Sequence, residues 1–170
     1  MVHVCYDFII IVKKKENDQF SDNLINVNFF TEDEHQQRLN AHEISALECQ
    51  FLAEDKILFE KRKFSFILNL NKLRHSISEK ASNSWVKAKK KLTVPDSYDL
   101  NLGRKSLFHS FRIIDYGIQI AEHGKIVNYD KSNTLYAEIM NYYNWDEMFE
   151  KFKSRFNKIN TEFKILAPKN

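Results

Sequence analysis

The stretch Arg104–Gly124, RKSLFHSFRIIDYGIQIAEHG, decides the fold of this chain. Its apolar residues recur at steps of three and four, the spacing that places side chains on one face of an α-helix. They are Leu107, Phe111, Ile114, Ile118 and Ala121. The polar side is supplied by Arg104, Arg112, Asp115, Gln119 and Glu122. Because Gly124 suits a left-handed C-terminal cap, the stretch predicts a central helix with a buried apolar face that ends there.

The composition indicates a folded chain that is rich in helices. Its 170 residues are 43% hydrophobic and 14% aromatic, which is enough for one substantial core. Only 3 Gly and 2 Pro are present. Because tight turns depend on these two residue types, their scarcity favours long helices over a many-stranded sandwich.

The cysteines and the N-terminal apolar run argue against several classes of protein. Cys5 and Cys49 are too few and too far apart for a disulfide framework or a zinc site, so a reduced, cytoplasmic setting is expected. The run Phe8–Val12 is too short to span a bilayer, and Lys13–Lys15 follow it instead of a cleavage site. We therefore expect no association with a membrane.

The net charge of +3 conceals an uneven distribution of charged residues. Residues 1–60 contain 5 Lys and Arg against 12 Asp and Glu, residues 61–125 contain 14 against 5, and the remainder contains 7 against 6. The basic middle segment suggests a polyanion or an acidic protein as a partner. The alternative is that the basic segment and the acidic N-terminal segment neutralise each other.

Before the central helix, hydrophobic patterning predicts two strands and two helices. Val2–Val12 is dense in β-branched and aromatic residues, which predicts a buried strand, and Lys13–Asn23 predicts a polar loop. Leu24–Phe30 alternates as a second strand. Thr31 and Glu34 have the spacing of a capping box, so a helix should begin there and end near Leu52. It carries Leu39, Ile44, Leu47 and Phe51 inward. Ala53–Leu68 is predicted to be a short strand or turn and then the start of a helix, and Asn69–Leu92 is predicted to be a long helix that contains Trp85.

After the central helix, Thr134–Tyr143 predicts a short helix, and Asn144 with Glu147 predicts the cap of a last one. The buried side of that helix is formed by Met148, Phe149, Phe152, Phe156, Ile159 and Phe163. The fold class is therefore α/β (α+β), with a small mixed β-sheet at the N-terminus, a helical bundle region after it, and helices dominating. We expect an α/β core in residues 1–68 and a helical region in residues 69–170, packed as one compact unit.

Two motifs lie on the predicted helices. One is an Ala-Leu-Glu-x-x-Phe ending, and the other is a Lys-x-hydrophobic-x-His-x-x-Arg-hydrophobic pattern on a helix that ends at Gly124. Their residues are Ala46, Leu47, Glu48 and Phe51, and Lys105, His109 and Arg112. Together with a preceding strand that carries an acid, this order resembles the predicted nucleotidyltransferases of the DNA polymerase beta superfamily over most of the chain. The resemblance implies Mg²⁺-dependent transfer of a nucleoside monophosphate.

The residues that such chemistry requires are only partly present. Two metal ions must be held by several carboxylates, for which the family uses Asp-x-Asp on one strand, a third acid on a neighbouring strand and a Gly-Ser turn upstream. Here the first frame reads Cys5-Tyr6-Asp7, so Asp7 alone remains, and the third acid is replaced by Asn26-Val27-Asn28. Four residues precede Cys5, which leaves no room for the turn. We therefore predict a catalytically inactive relative with no metal and no other cofactor.

The function that follows is binding of another macromolecule, as an inhibitor, antitoxin-like regulator or subunit. A protein partner with an acidic surface is expected, and RNA or a nucleotide is the alternative ligand. The predicted binding residues are Lys72, Lys80, Lys87, Lys89, Lys90, Lys91, Arg104, Lys105 and Arg112. A competing hypothesis is an active nucleotidyltransferase, with Mg²⁺, that a partner chain completes. A further alternative is RNA cleavage, since Arg104 and His109 fit the Arg-x4-His pattern of HEPN-type ribonucleases.

Overall fold

A computed structural model of the chain describes residues 6–59 and 62–169. It contains two compact units, Met1–Ile67, the N-terminal unit, and Leu68–Asn170, the helical unit. The predicted fold class is confirmed, because a small mixed sheet is followed by helices that make up most of the chain. The predictions that concern Val2–Cys5 lie outside the described residues. No helix in the described part of the chain is both long enough and apolar enough to cross a membrane.

The sheet of the N-terminal unit has three strands in the order β1-β3-β2. Strand β1 (Tyr6–Val12) runs parallel to β3 (Ile25–Thr31), and β2 (Gln19–Ser21) runs antiparallel to β3. The prediction that Lys13–Asn23 is wholly loop was therefore wrong. Three residues give no periodic signal, and β2 exists because its backbone pairs with β3, with Phe20 opposite Val27.

Strand β1 is not the buried strand that its sequence predicts. It lies at the edge of the sheet, and among the described residues it pairs with β3 alone. Ile9 and Ile10, which point to opposite faces, keep 38% and 41% of their surface exposed. An apolar run shows that a strand can be buried, but the order of strands in the sheet decides whether it is.

Two helices follow the sheet where one was predicted. The predicted capping box is confirmed, since Thr31 Oγ1 accepts from Glu34 N at 3.2 Å and Thr31 N donates to Glu34 Oε2 at 2.7 Å. Helix α1 (Glu32–Asn40) then ends, and α2 (Ile44–Gln50) begins after a turn in which His42 has a φ of 60°. This left-handed residue interrupts the helix without any Gly or Pro to signal it.

The segment that precedes the helical unit is extended and lies against α1. After a single 3-10 turn at Glu54–Lys56, residues 62–67 have no regular secondary structure. The side-chain amide of Gln36 forms two hydrogen bonds with the backbone of Ser65 in this segment. Its Nε2 donates to Ser65 O at 2.7 Å, and its Oε1 accepts from Ser65 N at 3.2 Å. These hydrogen bonds take the place of those that a neighbouring strand would form with this backbone.

The same segment buries two histidines that the sequence placed in solvent. His35 is 3% exposed and meets the ring of Phe64 edge-on at 4.8 Å, while His42 is 1% exposed and lies 5.0 Å from the ring of Phe66. Burial is the main cause that lowers the pKa of His35, and Arg38 adds to it. Histidines scattered singly among polar residues are expected to be solvated. That expectation is wrong for this pair because their aromatic partners are distant in sequence.

The helical unit consists of two long antiparallel helices, a short helix and a third long helix. These are α3 (Leu70–Thr93), α4 (Leu100–His123), α5 (Asn133–Ile139) and α6 (Trp145–Leu166). The N-cap predicted for α6 is confirmed, since the Asn144 side chain accepts from Glu147 N. In α3 the Asn69 side chain caps the helix in the same way, accepting from Lys72 N. Gly124 caps α4 with a φ of 72°, as predicted.

The apolar face of α4 is the centre of this unit. Leu107, Phe111 and Ile114 are at most 1% exposed. Helices α3 and α6 cover them with Leu73, Ile77, Ala81, Ala88, Met148, Phe152, Phe156 and Phe163. A Cβ atom added to Gly117 would lie 2.8 Å from Ile77 Cγ2, so α3 can approach α4 this closely only at glycine.

The polar side of α4 is also buried, which corrects its prediction. Asp115 is 3% exposed and Gln119 is 1% exposed. Asp115 forms an ion pair with Lys131 at 2.7 Å. Gln119 Oε1 accepts from the backbone N–H groups of Val127 and Asn128 at 2.9 and 2.8 Å. The connector after α4 therefore folds back over the helix, and these two polar residues bind it.

Candidate functional site

The remnant of the predicted metal site is Asp7 on β1. Asp7 pairs in register with Asn26 of β3, and Asn26 Nδ2 donates to Asp7 Oδ1 at 3.1 Å. Ser21 of β2 in turn donates to the side chain of Asn26. One carboxylate, one amide and one hydroxyl thus form a chain of hydrogen bonds across the three strands. The group beside Asp7 is thus an amide that donates to its carboxylate, not a second carboxylate.

The other parts of the predicted metal site contribute no carboxylate beside Asp7. Asn28 lies opposite Ile9 on one side and Gln19 on the other, and Cys5 lies outside the described residues. Within residues 6–59 and 62–169, no three His, Cys, Asp or Glu side chains come close enough together to hold a metal ion. Cys49 is half-buried, and burial raises its pKa to about 11, so it carries little reactive thiolate.

Arg104, a predicted binding residue, is buried in the helical unit. It is 5% exposed, its Nε donates to Tyr142 O at 2.8 Å, and its guanidinium lies 4.5 Å from the centre of the Tyr143 ring. Among the described residues, its Nη2 atom has no hydrogen-bond partner. The side chain therefore holds the loop between α5 and α6 onto the start of α4, and its charge is directed inward.

His109 lies among three of the predicted binding residues. Lys105, His109 and Arg112 follow one another at steps of four and three on α4, so they share a face of the helix. Arg112 is placed 5.6 Å from the rings of both Phe108 and Tyr116, which position its guanidinium. Lys87 of α3 completes the group, which we call the His109 cluster: Lys87, Lys105, His109 and Arg112.

The electrostatics of the His109 cluster indicate a strongly positive surface. Burial lowers the pKa of His109 to about 4, and the charges of Arg112, Lys105 and Lys87 add to this effect. The imidazole is therefore neutral at physiological pH, while its neighbours remain charged. An anion that approached this face would meet fixed cations and one neutral imidazole.

The Arg104 and His109 pair does not form a single cluster on α4. Five residues correspond to a rotation of about 140° around an ideal helix, so the two side chains leave it in different directions. Arg104 is bound to Tyr142 and Tyr143, whereas His109 belongs with Lys105 and Arg112. The two residues of the ribonuclease alternative thus have separate environments within this protein chain.

The turn between α3 and α4 carries the highest density of positive charge in the helical unit. Residues 87–105 contain 6 Lys and Arg and 2 Asp. Since Leu92 lies against Gly103, the last turns of α3 and the first turns of α4 are side by side. We call this region the basic tip: Lys87, Lys89, Lys90, Lys91 and Lys105. All of these are exposed except Lys91, which is half-buried.

The lysines of the basic tip are not neutralised within their own unit. Among the described residues of the helical unit, none of the five forms an ion pair with Asp or Glu. Of the two acids in the turn, Asp99 is the N-cap of α4 and accepts from Leu102 N at 2.9 Å. The end of the α3 dipole stabilises Lys90 and Lys91, but it leaves their charges facing outward.

The other predicted binding residues lie apart from the basic tip. Lys72 and Lys80 are exposed on the first half of α3, and seven residues of helix separate Lys80 from Lys87 by about 10 Å. Trp85 belongs to the aromatic core, stacked on Phe156 at 4.4 Å with the Trp145 ring edge-on at 5.5 Å. Phe156 covers one face of its ring, so the ring is engaged in packing.

Sequence reasoning identified the cations but not their arrangement around His109. The signal was present in the spacing of Lys105, His109 and Arg112, which was interpreted only as a family motif. Nothing in the sequence places Lys87 beside them, because that neighbour depends on the register of α3 against α4. Comparison of the chain with protein-family models, curated proteins and solved structures gave no match. The resemblance to nucleotidyltransferases therefore rests on the quoted motifs alone.

Proposed function

We propose that the protein acts by binding an acidic surface of another protein through the basic tip, without catalysing nucleotidyl transfer. The observation that supports this best is that five lysines converge on one turn without an acidic partner in their unit. Like charges held together repel one another, and a partner of opposite charge relieves that repulsion. The role would be that of an inhibitor, a regulator or a subunit.

An acidic protein fits the basic tip better than RNA does. Proteins that bind single strands combine cations with exposed aromatic rings on which bases stack. The aromatic residue nearest to these lysines in sequence, Trp85, packs against Phe156 and Trp145 instead. Tyr98 is exposed in the turn itself, but one ring among five lysines provides far less stacking than charge. Charge complementarity therefore steers association and favours an acidic partner.

The absence of catalysis is proposed from the surroundings of Asp7. A single carboxylate that accepts a hydrogen bond from Asn26 lacks the companions with which two metal ions are held. Purified protein that is given Mg²⁺ or Mn²⁺, each labelled nucleoside triphosphate, and protein and RNA acceptors should transfer no label. Label transfer that disappears in Asp7→Ala would instead support the competing hypothesis of an active nucleotidyltransferase.

The binding proposal is tested by reversing charge at two places on the same unit. Partners captured from the native host are identified by mass spectrometry, and affinity for each purified partner is measured over a series of salt concentrations. Lys89→Glu with Lys90→Glu should abolish binding at moderate salt. Lys158→Glu with Lys164→Glu on α6 makes the same change in net charge at exposed positions and should leave binding nearly unchanged. Wild-type affinity should fall steeply as salt rises.

The two double variants also separate binding from folding. Exposed lysines without ion partners contribute little to stability, so both variants should melt within a few degrees of the wild type. Equal loss of affinity in both variants would mean that net charge, not the basic tip, controls binding. Tight binding of unstructured RNA, lost in Lys89→Glu with Lys90→Glu, would replace the protein partner with a nucleic acid. Cleavage of that RNA, lost in His109→Ala, would favour the ribonuclease alternative.

A further inference from the structure

Strand β1 of the N-terminal unit has an open edge, with which no described strand pairs. The run from Phe8 to Val12 is entirely apolar, which is the pattern of a strand covered on both faces and paired on both edges. In the structure β1 is an edge strand, and among the described residues its second row of backbone N–H and C=O groups meets no other strand.

Edge strands in natural proteins usually carry features that prevent pairing with another chain. These are charged side chains in the middle of the strand, a proline, a bulge or a very short length. Strand β1 has seven residues, contains no proline, and its one charged residue, Asp7, is near its start. Ile9 and Ile10 are exposed at its centre. The strand therefore has the chemistry of one that pairs on this edge.

We infer that β1 pairs with β1 of a second copy of the chain, antiparallel and about a two-fold axis at Ile10. The sequence of the strand is complementary to itself in this register. Ile10 meets Ile10 of the second copy, Ile9 meets Ile11, and Phe8 meets Val12. The first residue with a carboxylate, Asp7, meets Lys13, the first residue after the strand. Every apolar side chain thus lies opposite an apolar one, and both charges have partners of opposite sign.

Neighbouring registers lack this complementarity. Moving the axis by half a residue toward the N-terminus places Asp7 opposite Val12, and moving it by half a residue toward the C-terminus places Lys13 opposite Phe8. A further half residue in either direction places Asp7 opposite Ile11 or Lys13 opposite Ile9. Each shift thus sets a charged side chain against an apolar one on the same face.

The pairing joins two three-stranded sheets into one six-stranded sheet across the axis. Its contact is small compared with that of a permanent dimer, so a reversible dimer that depends on protein concentration is expected. The interaction involves only the N-terminal unit and is independent of the basic tip. Backbone hydrogen bonds provide much of it, as in other cases where a strand is added to a sheet edge.

The first test is the mass of the full chain in sedimentation equilibrium over a series of concentrations. The wild type should approach twice the monomer mass as concentration rises, and Ile9→Lys should raise the dimer dissociation constant at least about tenfold. Leu24→Lys introduces the same side chain at an exposed apolar position outside β1 and should leave the dissociation constant unchanged. A wild type that remains monomeric throughout the series would overturn the inference.

The second test shows which residues of the two β1 strands lie opposite each other, and it does not depend on a destabilised variant. In a Cys5→Ser background, Ile10→Cys should form a disulfide between two chains on mild oxidation, because residues directly opposite across two antiparallel strands lie within reach of this bond. The remaining Cys49 is a poor competitor, since its pKa is raised to about 11. Phe20→Cys, on the opposite edge strand, is the matched control and should stay reduced.

The residue at which two chains cross-link most readily identifies the position of the two-fold axis. Cysteine placed in turn at Phe8, Ile10 and Val12 should cross-link to itself most readily at Ile10, because only that residue faces its own copy. Equal cross-linking at all three positions would indicate parallel pairing and would overturn the antiparallel arrangement. Cross-linking at Phe20 as strong as at Ile10 would show random collision and would overturn it as well.

Discussion

The helical unit and the N-terminal unit bury their apolar side chains to very different extents. In the helical unit, Phe111 and Phe152 are 1% and 0% exposed. In the N-terminal unit, Ile10 is 41% exposed, and Leu58 and Phe59 are both 82% exposed. The N-terminal unit has a small core around Leu39 and Leu47, and the helical unit exposes single side chains such as Ile165. The difference is that the N-terminal unit exposes adjacent apolar residues, in β1 and at Leu58 and Phe59. Pairing of β1 with a second copy, as inferred above, would cover the exposed groups of that strand.

The two units also differ in how they use their polar groups. In the helical unit, buried side chains such as Asp115 and Gln119 bind backbone groups and a cation inside the fold. In the N-terminal unit, the ion pairs lie near solvent, as in Lys15 with Glu34 at 2.6 Å. Buried polar residues therefore fix the connector of the helical unit, while the ion pairs of the N-terminal unit lie at its surface.

The largest effect expected from this comparison comes from truncating the core of α4. Phe111→Ala and Ile114→Ala should each lower the free energy of unfolding by about 2 to 5 kcal/mol, because both side chains are fully buried. Ile10→Ala in the edge strand should cost less than about 1 kcal/mol, and Arg112→Ala should also cost far less than either core variant. Thermal melts of the four variants check this order. If Ile10→Ala lowered the melting temperature as much as Phe111→Ala, the two units would not differ in how deeply these side chains are buried.

A smaller effect is expected from the buried polar network. Asp115→Ala removes the acceptor for Lys131, Gln119 and Ser132, which should cost about 1 to 3 kcal/mol. Lys15→Ala, which breaks an ion pair near solvent, should change the denaturant midpoint much less. Hydrogen exchange at the Val127 and Asn128 amides should accelerate in Asp115→Ala, since Gln119 loses a group that orients it. Unchanged exchange there would show that the connector holds its position independently.

The effect that is smallest at neutral pH concerns the pH dependence of stability. A histidine whose pKa falls from 6.5 to about 4 on folding binds its proton more tightly in the unfolded chain. The free energy of unfolding should therefore decrease as the pH falls from 6.5 towards 4. Below pH 4, protonation of His109 should lower it no further. His35 contributes with the same sign, because its pKa is also lowered. His109→Gln should flatten the pH profile measured by denaturant unfolding.

The cause of this pH dependence can be tested by measuring the pKa of His109 itself. An NMR titration of the His109 ring in Lys105→Gln should give a higher pKa than in the wild type, because one repelling charge is gone. Lys158→Gln, which neutralises a lysine on α6, is the matched control. An identical titration of His109 in all three proteins would place Lys105 too far away to belong to the His109 cluster.

The local structure of the helical unit was encoded in short stretches of sequence. Three- and four-residue spacing predicted α3, α4 and α6. The side chains of Asn69 and Asn144 and the backbone of Gly124 fix where these helices begin or end. These signals are readable because helices form from contacts between residues that are near in sequence, and caps act within one turn. The capping box of α1 was readable for the same reason.

Contacts between distant residues decided what the sequence could not. Asp115 and Gln119 look like solvent-facing residues until the connector folds over them, and His35 looks exposed until Phe64 covers it. Lys87 joins His109 only through the register of α3 against α4. The position of β1 at the sheet edge depends on which strand pairs with β3. The sequence alone therefore determined where helices form and which residues carry charge. The tertiary structure determined which polar groups are buried, which cations meet and which apolar strand stays open, because each depends on packing between segments far apart in the chain.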